Sequence, residues 1–333
     1  MKRVLTGDRP TGKLHLGHYI GSLKTRVKLQ DEYETFILVA DVQALTDNYD
    51  NPEKIRENIL ETTMDNLAVG LDPNKANFYV QSMSKETAEL TMFFLNLVTL
   101  EEVLRNPTVK DETKQKQIKF QGNPPFGFVA YPVSQAADIL ISRSEIVPVG
   151  DDQSPMIELT NHIGRKFNKV YKTNTFNEVK AIYTDFTRLV GTDGNAKMSK
   201  SLNNCIYLAD SPEVVKDKVM KMYTDPNRIR ATDPGKVEGN PVFIYHDAFN
   251  TNFEEVEDLK NRYKKGQVGD IEVKQKLINA INDFLEPIRE RRKYYEKNTD
   301  VVQDILKKGN DRIKDEGLKT MEIVKEAMKI NYF

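Results

Sequence analysis

The sequence predicts an α/β protein, a parallel sheet with crossover helices followed by a smaller helical C-terminal domain. Three observations lead there. The first half alternates short β-branched or apolar runs with longer segments of helical spacing. From about Asp210 onward the strand signal fades and charged helical segments take over. The chain has 333 residues, a length that corresponds to roughly two domains.

Four runs read as buried strands: Arg3–Thr6, Thr35–Ala40, Asn77–Val80 and Ile146–Val149. A helix is expected over Tyr19–Glu32. The next, Pro52–Val69, has Asn51 as N-cap and Pro52 at its first position. Its residues Ile55, Ile59, Leu60, Thr63 and Leu67 share one face, and Gly70 closes it. A further helix is expected over Lys85–Leu104. This alternation is that of a Rossmann-like parallel sheet. Ligands of such sheets gather beyond the carboxyl ends of the strands. Thr6-Gly7, Asp41 and Gly150-Asp151-Asp152 all lie there, placed to share one crevice. Asn106–Phe128 is polar and then Gly/Pro-rich, and reads as an insertion or mobile loop. Pro212–Met222, Asn252–Lys264 and Val268–Asn298 read as helices, with Pro287 kinking or restarting the last. Val190–Asn204 links the two halves.

Composition narrows the function. Hydrophobic residues at 39% and charged residues at 30% support a packed core and exclude wholesale disorder. Lys+Arg is 49 and Asp+Glu is 50, a net charge of -1 that excludes a histone-like protein. A local basic face for nucleic acid remains compatible with it. Cys205, the one cysteine, excludes an internal disulfide and a multi-cysteine zinc site. The opening MKRVLTGDRPTG carries no secretory signal, and apolar runs such as Phe36–Ala40 are too short for a bilayer. The expectation is a soluble cytoplasmic protein without membrane association.

Gly7-Asp8-Arg9-Pro10-Thr11-Gly12-Lys13 imitates a P-loop. Leu14 stands where that motif needs a magnesium-binding hydroxyl, and Pro10 removes a phosphate-binding N–H. The next residues say more. His15-Leu16-Gly17-His18 sits at a helix start, where free N–H groups and positive potential favour anions. The two imidazoles lie on one side of that turn, and Gly17 admits close approach of a nucleotide. Two surface histidines or a metal pair is the competing reading, although a metal would need a third ligand. Lys197-Met198-Ser199-Lys200-Ser201 is the second motif. Its lysines and hydroxyls on a flexible loop suit a departing pyrophosphate, and a solvated loop is the alternative.

Together and in this order, HLGH and KMSKS resemble the two hallmark motifs of class I aminoacyl-tRNA synthetases. The resemblance extends over nearly the whole chain. Thr6–Gly12, Tyr131–Leu140 (YPVSQAADIL), Gly150–Gln153 with Glu158-Leu159 and Phe167-Asn168, and Gly239–Phe243 are similar to the tryptophanyl-tRNA synthetase family. His18 stands where many members carry Asn, and Arg9 replaces the usual Gln.

The resemblance implies an activity and a set of roles. L-Tryptophan would be activated by ATP to tryptophanyl-adenylate and pyrophosphate, then passed to the 2′-hydroxyl at the 3′-end of tRNA(Trp). Residues 1–190 would form the ATP and amino-acid binding catalytic domain, 191–204 the KMSKS loop, and 205–333 a helical tRNA-binding domain. The last helix is a candidate to pack back on the catalytic domain. His15, His18, Lys197 and Lys200 would act on the phosphates. ATP would also touch Arg9, Pro10, Thr11, Gly17, Gly150, Asp151, Asp152, Leu189, Met198, Ser199 and Ser201. Asp138 would accept the indole N–H, Tyr131 and Gln153 would lie near the amino group, and Gln135 and Gln43 would line the pocket. Each has a plainer reading: Asp138 as a solvent-facing helix residue, Tyr131 as packing beside Pro132, Gln153 as a helix-start polar residue, Asp152 as a cap for the helix after Ser154. Magnesium would accompany ATP, with no protein metal cage and no prosthetic group. The family is homodimeric.

Arg289–Tyr295 mixes cations with aromatics and reads either as a tRNA contact or as a solvated helix face. Lys114, Lys116 and Lys119 are a second tRNA candidate. Cys205 reads as packing. A tyrosine-specific enzyme, an adenylyltransferase without tRNA, and a non-catalytic synthetase-like paralogue are the competing functions. For an indole, an acceptor-only carboxylate is apt, and a pocket built on it would reject phenylalanine.

Overall fold

The computed structural model describes the chain except residues 117–119, 151–152, 184–188, 195–197, 201, 226–227, 229, 231 and 333, and except the side chain of residue 115. Two compact units emerge. One comprises Met1–Gly12, Lys24–Asp185 and Lys297–Phe333, the other Lys13–Leu23 and Phe186–Glu296.

Among the described residues the first unit carries five strands: β1 (Arg3–Asp8), β2 (Glu34–Val39), β3 (Ala76–Val80), β4 (Ile146–Val149) and β5 (Lys180–Tyr183). They pair in parallel in the order β3-β2-β1-β4-β5, with Val4 opposite Thr35 on one side and Ile146 on the other. Parallel strands need long crossovers, and helices such as Pro52–Ala68 and Phe126–Ile141 supply them. The Asn51 side chain accepts from Lys54 N, so the expected cap forms. The sheet is buried on both faces, as its continuous apolar strands require. Leu5, Phe36, Tyr79, Leu90, Phe94 and Ile139 share its core with Ile313, Met321 and Val324 of the helix Thr299–Met328.

That last helix covers the edge strand β3, which would otherwise offer unpaired backbone groups. A Cβ at Gly309 would lie 1.8 Å from the Phe78 carbonyl oxygen, so only glycine permits this approach. Beside it Asn310 Oδ1 accepts from Val80 N at 2.8 Å, and the Thr320 hydroxyl donates to the Ile141 carbonyl at 2.9 Å. A ring of charges adds to the grip: Arg3 and Arg312 each bridge Glu34 and Glu316.

Several expectations change. Asn106–Phe128 is not simply a loop. Asn106 accepts from Thr108 N and Val109 N, Pro107 takes the first position, and the polar Lys/Gln/Glu run becomes the helix Pro107–Gln115. Polar composition was mistaken for irregularity, although these residues are good helix formers. The helix expected over Lys85–Leu104 breaks, because Thr99 and Glu102 form a capping box that starts a new helix, Leu100–Arg105. β5 has only four residues, partly exposed, and gave no periodic signal. Pro287 lies within one continuous helix, Asp270–Lys297, and does not restart it.

In the second unit the segment after Gly12 is tied to the chain beyond the KMSKS motif. Leu16 N donates to Ile206 O at 2.9 Å and Leu208 N to Leu14 O at 3.0 Å. The helix expected over Tyr19–Glu32 is a short turn Leu16–His18, a π-helical turn Tyr19–Leu23 and an α-helix Lys24–Leu29. The Tyr19 ring packs on Phe284 with centroids 4.7 Å apart.

The close approach at Gly309 makes a direct prediction. Gly309→Ala should destabilise the protein by about 2 kcal/mol or more in urea unfolding, whereas Leu318→Ala, on the exposed face of the same helix, should change stability by less than about 0.5 kcal/mol.

Candidate active site

The parallel sheet brings the expected residues of the first unit to one edge. Arg9 follows β1, Asp41 follows β2, Gln81 follows β3 and Gly150 follows β4. Asp138 comes from the helix Phe126–Ile141 and is 2% exposed, which rules out the solvent-facing reading. Its Oδ2 accepts from Gln81 Nε2 at 2.7 Å, and Gln81 Oε1 accepts from Gln43 N at 2.9 Å. Asp41 Oδ1 accepts from Ser82 N at 2.9 Å and fixes the same turn. Asp138 Oδ1 is buried with no hydrogen-bond partner among the described residues. Leaving such an acceptor unsatisfied is costly, which marks Oδ1 as a position suited to a hydrogen-bond donor. Burial pushes the Asp138 carboxyl well above the usual range; the Gln81 bond opposes this and the Asp41 charge adds to it. The neighbouring Tyr79 hydroxyl is likewise buried without a partner among the described residues, and burial and the Asp138 charge raise its pKa.

Tyr131 is also buried, packed against Phe128 with centroids 5.7 Å apart. Burial and the Glu112 carboxylate raise its hydroxyl. Gln135 is half-buried one helical turn further on. Gln153 N donates to Gly150 O at 3.0 Å and leads into the helix Ser154–Tyr171. Asp151 and Asp152 lie outside the described residues.

Arg9 and Lys116 both bond the carboxylate of Asp47. Burial would raise that carboxyl, but the hydrogen bonds from Arg9 and Lys116 outweigh it and hold it low. Lys116 also sits 4.9 Å above the Phe128 ring. The loop carrying Arg9 is fixed at its root by a buried pair, in which Arg26 grips both oxygens of Asp8 and the Gly7 carbonyl. It turns at once, Thr11 N donating to Arg9 O at 2.8 Å around a buried Pro10.

The second unit holds both signature motifs. His15 N donates to His18 Nδ1 at 3.1 Å, and the two rings meet tilted at 42° with centroids 3.7 Å apart. Because Nδ1 accepts, the neutral His18 ring carries its proton on Nε2, a donor suited to an anion. A Cβ at Gly17 would stand 3.0 Å from the His15 ring and 3.3 Å from Met198 Sδ. Gly17 N donates to that sulfur at 3.2 Å, so the HLGH and KMSKS motifs touch. A thioether is a weak acceptor and a better one would displace it.

The KMSKS loop is knotted at Asn204. Its Oδ1 accepts from Ser199 N at 2.8 Å, its Nδ2 donates to Asp193 Oδ1 at 3.2 Å, and its carbonyl accepts from Thr192 N at 2.9 Å. Gly191 leaves room for this, since a Cβ there would lie 2.1 Å from Asn204 Nδ2. Met198 N donates to Leu189 O at 3.2 Å, and Lys200 accepts from Asn203 N at 3.2 Å through its carbonyl. Lys197 and Ser201 lie outside the described residues. Cys205 is buried, and burial together with this thiol pushes the Tyr207 hydroxyl up to about 12.

The run Arg289–Tyr295 is divided by the fold. Arg289 is buried and bonds Asn282, Glu286 and the Asp210 carbonyl; Arg292 is buried and bonds Glu296. Arg291, Lys293 and Tyr294 remain exposed. Lys116 turns inward to Asp47, Lys114 is exposed, and Lys119 lies outside the described residues. Three residues escaped the sequence reading: Gln81, Asp47 and Asn204. Gln81 alone had a usable signal, a polar residue just past a buried strand.

The first 286 residues match the family model of class I tRNA synthetases (W and Y), and the chain belongs to that family. Within it, the full-length relatives are tryptophan enzymes. The tryptophan–tRNA ligase of Clostridium longisporum is 53% identical over 99% of this chain and 97% of its own length. That of Streptococcus mutans is 52% identical, over 99% and 98% respectively. In structure the chain is similar to the tryptophanyl-tRNA synthetase of Campylobacter jejuni solved with ADP and tryptophan, with a TM-score of 0.87, 29% identity, and coverage of 98% and 99%.

Two predictions arise from this geometry. A carboxyl whose pKa is raised by folding destabilises the native state when ionised, and acidification through that pKa removes the penalty. Asp138→Asn should therefore stabilise the free protein by about 1–3 kcal/mol at neutral pH, with the gap closing as pH falls; thermal unfolding across pH would measure it. Asn204→Ala should speed amide exchange at Ser199 by about tenfold, with exchange in the sheet unchanged.

Proposed function

We propose that this protein is a tryptophan–tRNA ligase whose pocket recognises the indole through Asp138. The buried Oδ1 of that carboxylate, without a partner among the described residues, carries the reading: it suits a donor, and indole brings one N–H and no competing acceptor. Family membership and the full-length tryptophan–tRNA ligase relatives support the same conclusion. Tyr131, Gln153, Gln135 and Gln43 are proposed to complete the amino-acid pocket.

In the first step a tryptophan carboxylate oxygen bonds the α-phosphorus of ATP and the bond to the β-phosphate oxygen breaks, releasing pyrophosphate. No protein nucleophile is needed, so rate comes from positioning and electrostatics. His15 and the Nε2–H of His18 are proposed to hold phosphate oxygens, with Gly17 N exchanging its bond to Met198 for one to the nucleotide. Lys197 and Lys200 are proposed to neutralise the departing pyrophosphate, helped by Ser199 and Ser201. Arg9, Pro10, Thr11, Gly150, Asp151, Asp152 and Leu189 are proposed as further ATP contacts. Arg9 would act as a cation steadied by Asp47, a role the usual Gln could not fill. Magnesium is proposed to arrive on ATP, ligated by phosphate oxygens and water.

In the second step the tRNA(Trp) 2′-hydroxyl oxygen bonds the adenylate carbonyl carbon and AMP leaves. Residues 1–190 are proposed as the catalytic part and the 205–333 region as the tRNA-binding part, with Arg291, Lys293 and Tyr294 as contacts. A homodimer is proposed, as the family resemblance implies. No described helix is long and apolar enough to cross a membrane. A cytoplasmic site of action is proposed.

Pyrophosphate exchange into ATP, run with each amino acid, tests the reading. Exchange should depend on tryptophan and fall by at least about 100-fold in Asp138→Ala. Its kcat/KM for tryptophan should decline as pH drops through the raised Asp138 pKa, with that limb absent in Asp138→Asn. Exchange driven by tyrosine would move the protein to the sister specificity.

A further inference from the structure

Asp138 offers its ligand only one of its two carboxylate oxygens, and the reason lies one bond further back. Gln81 is 4% exposed and bonded at both ends of its amide. The Gln43 N–H can only donate, so it must face the amide oxygen; the amide NH2 is thereby turned to Asp138. That arrangement is anchored from two directions. Gln43 opens toward Gln81 from the turn after β2, where Asp41 binds Ser82 N. Val80, the residue before Gln81, is held by Asn310 of the last helix.

We propose that Gln81 is a specificity-determining positioning residue: it occupies Asp138 Oδ2 and thereby leaves Oδ1 as the single acceptor for a ring N–H. The inference rests on the tryptophan reading of Asp138. A carboxylate with both oxygens unbound would rotate and take a donor from either side, or take a water. With Oδ2 spent, the carboxylate plane is set by the amide and the ligand donor must come to Oδ1. The amide also favours the ionised carboxylate in a place where burial opposes it. Gln81 touches neither reacting atom, so its effect belongs to tryptophan selection and not to phosphate chemistry.

The test uses the full-length protein, pyrophosphate exchange, and two amino acids: tryptophan and its isostere in which sulfur replaces the ring N–H. Wild-type protein should prefer tryptophan by at least about 100-fold in kcat/KM. Gln81→Leu should raise KM for tryptophan about tenfold, shrink that preference by about tenfold, and leave kcat and KM for ATP within about threefold. Gln81→Glu separates the two bonds. Its carboxylate can still accept from Gln43 N but, when ionised, cannot donate to Asp138. It should lose the preference as Gln81→Leu does, and its acid limb in kcat/KM for tryptophan should move to higher pH. Wild-type kinetics and preference in Gln81→Glu would overturn the proposal, since a purely structural amide predicts that result. An equal rise in KM for ATP in both variants would also overturn it, by marking general damage. If the wild-type protein itself fails to separate tryptophan from the sulfur isostere, the Asp138 reading falls; if it separates them and both variants do so equally well, Gln81 alone is excluded.

Discussion

Parallel pairing of β1 with β2 on one side and β4 on the other is the constraint on which the first unit depends. Parallel strands all end at the same edge, so residues far apart in sequence become neighbours there. Arg9, Asp41, Gln81 and Gly150 are each the first or second residue past a strand. The same pairing buries both faces of the sheet and obliges the chain to supply helices for each. One of these, Phe126–Ile141, carries Asp138 among buried neighbours. The outermost strand, β3, still has a raw edge, and the chain spends its last long helix on covering it.

The polar interior built on this frame trades stability for function. Asp138 is buried, half-satisfied, and close enough to Asp41 for the two charges to oppose each other. A hydrophobic residue would pack there at lower cost. In the proposed reading that cost is recovered when a ligand donor reaches Oδ1, while Gln81 occupies Oδ2. Around Arg9 the opposite strategy holds. Asp47 is fully engaged by Arg9 and Lys116, and Arg26 locks Asp8 at the root of the same loop. One carboxylate is thus left wanting and the other two are saturated, which distinguishes recognition from scaffolding within a single unit.

The second unit solves a different problem, that of holding a charged loop in a defined place. Among the described residues Asn204 ties Ser199 to Asp193, and Gly191 provides the space. The Gly17–Met198 contact adds a weak link between the loop and the histidine motif. A thioether is a weak acceptor, so little is lost if this bond is exchanged for a better one, as the proposed nucleotide contact requires.

By itself the sequence determined the α/β class, four of the five described strands, the capped helix at Pro52, the family and the two motifs. These are local signals: periodicity, caps, and short strings whose chemistry lies within a few residues. It also pointed to Asp138, through the family resemblance. Tertiary structure alone decided which polar residues complete the site. Gln81, Asp47 and Asn204 act through partners 57, 38 and 11 residues away, and no local pattern encodes such a distance. The same holds for Arg289 and Arg292, which look like a nucleic-acid contact in sequence and are buried structural pins in the fold. Charge is written in the sequence, but burial and pairing, which decide what a charge does, exist only once the chain has closed on itself.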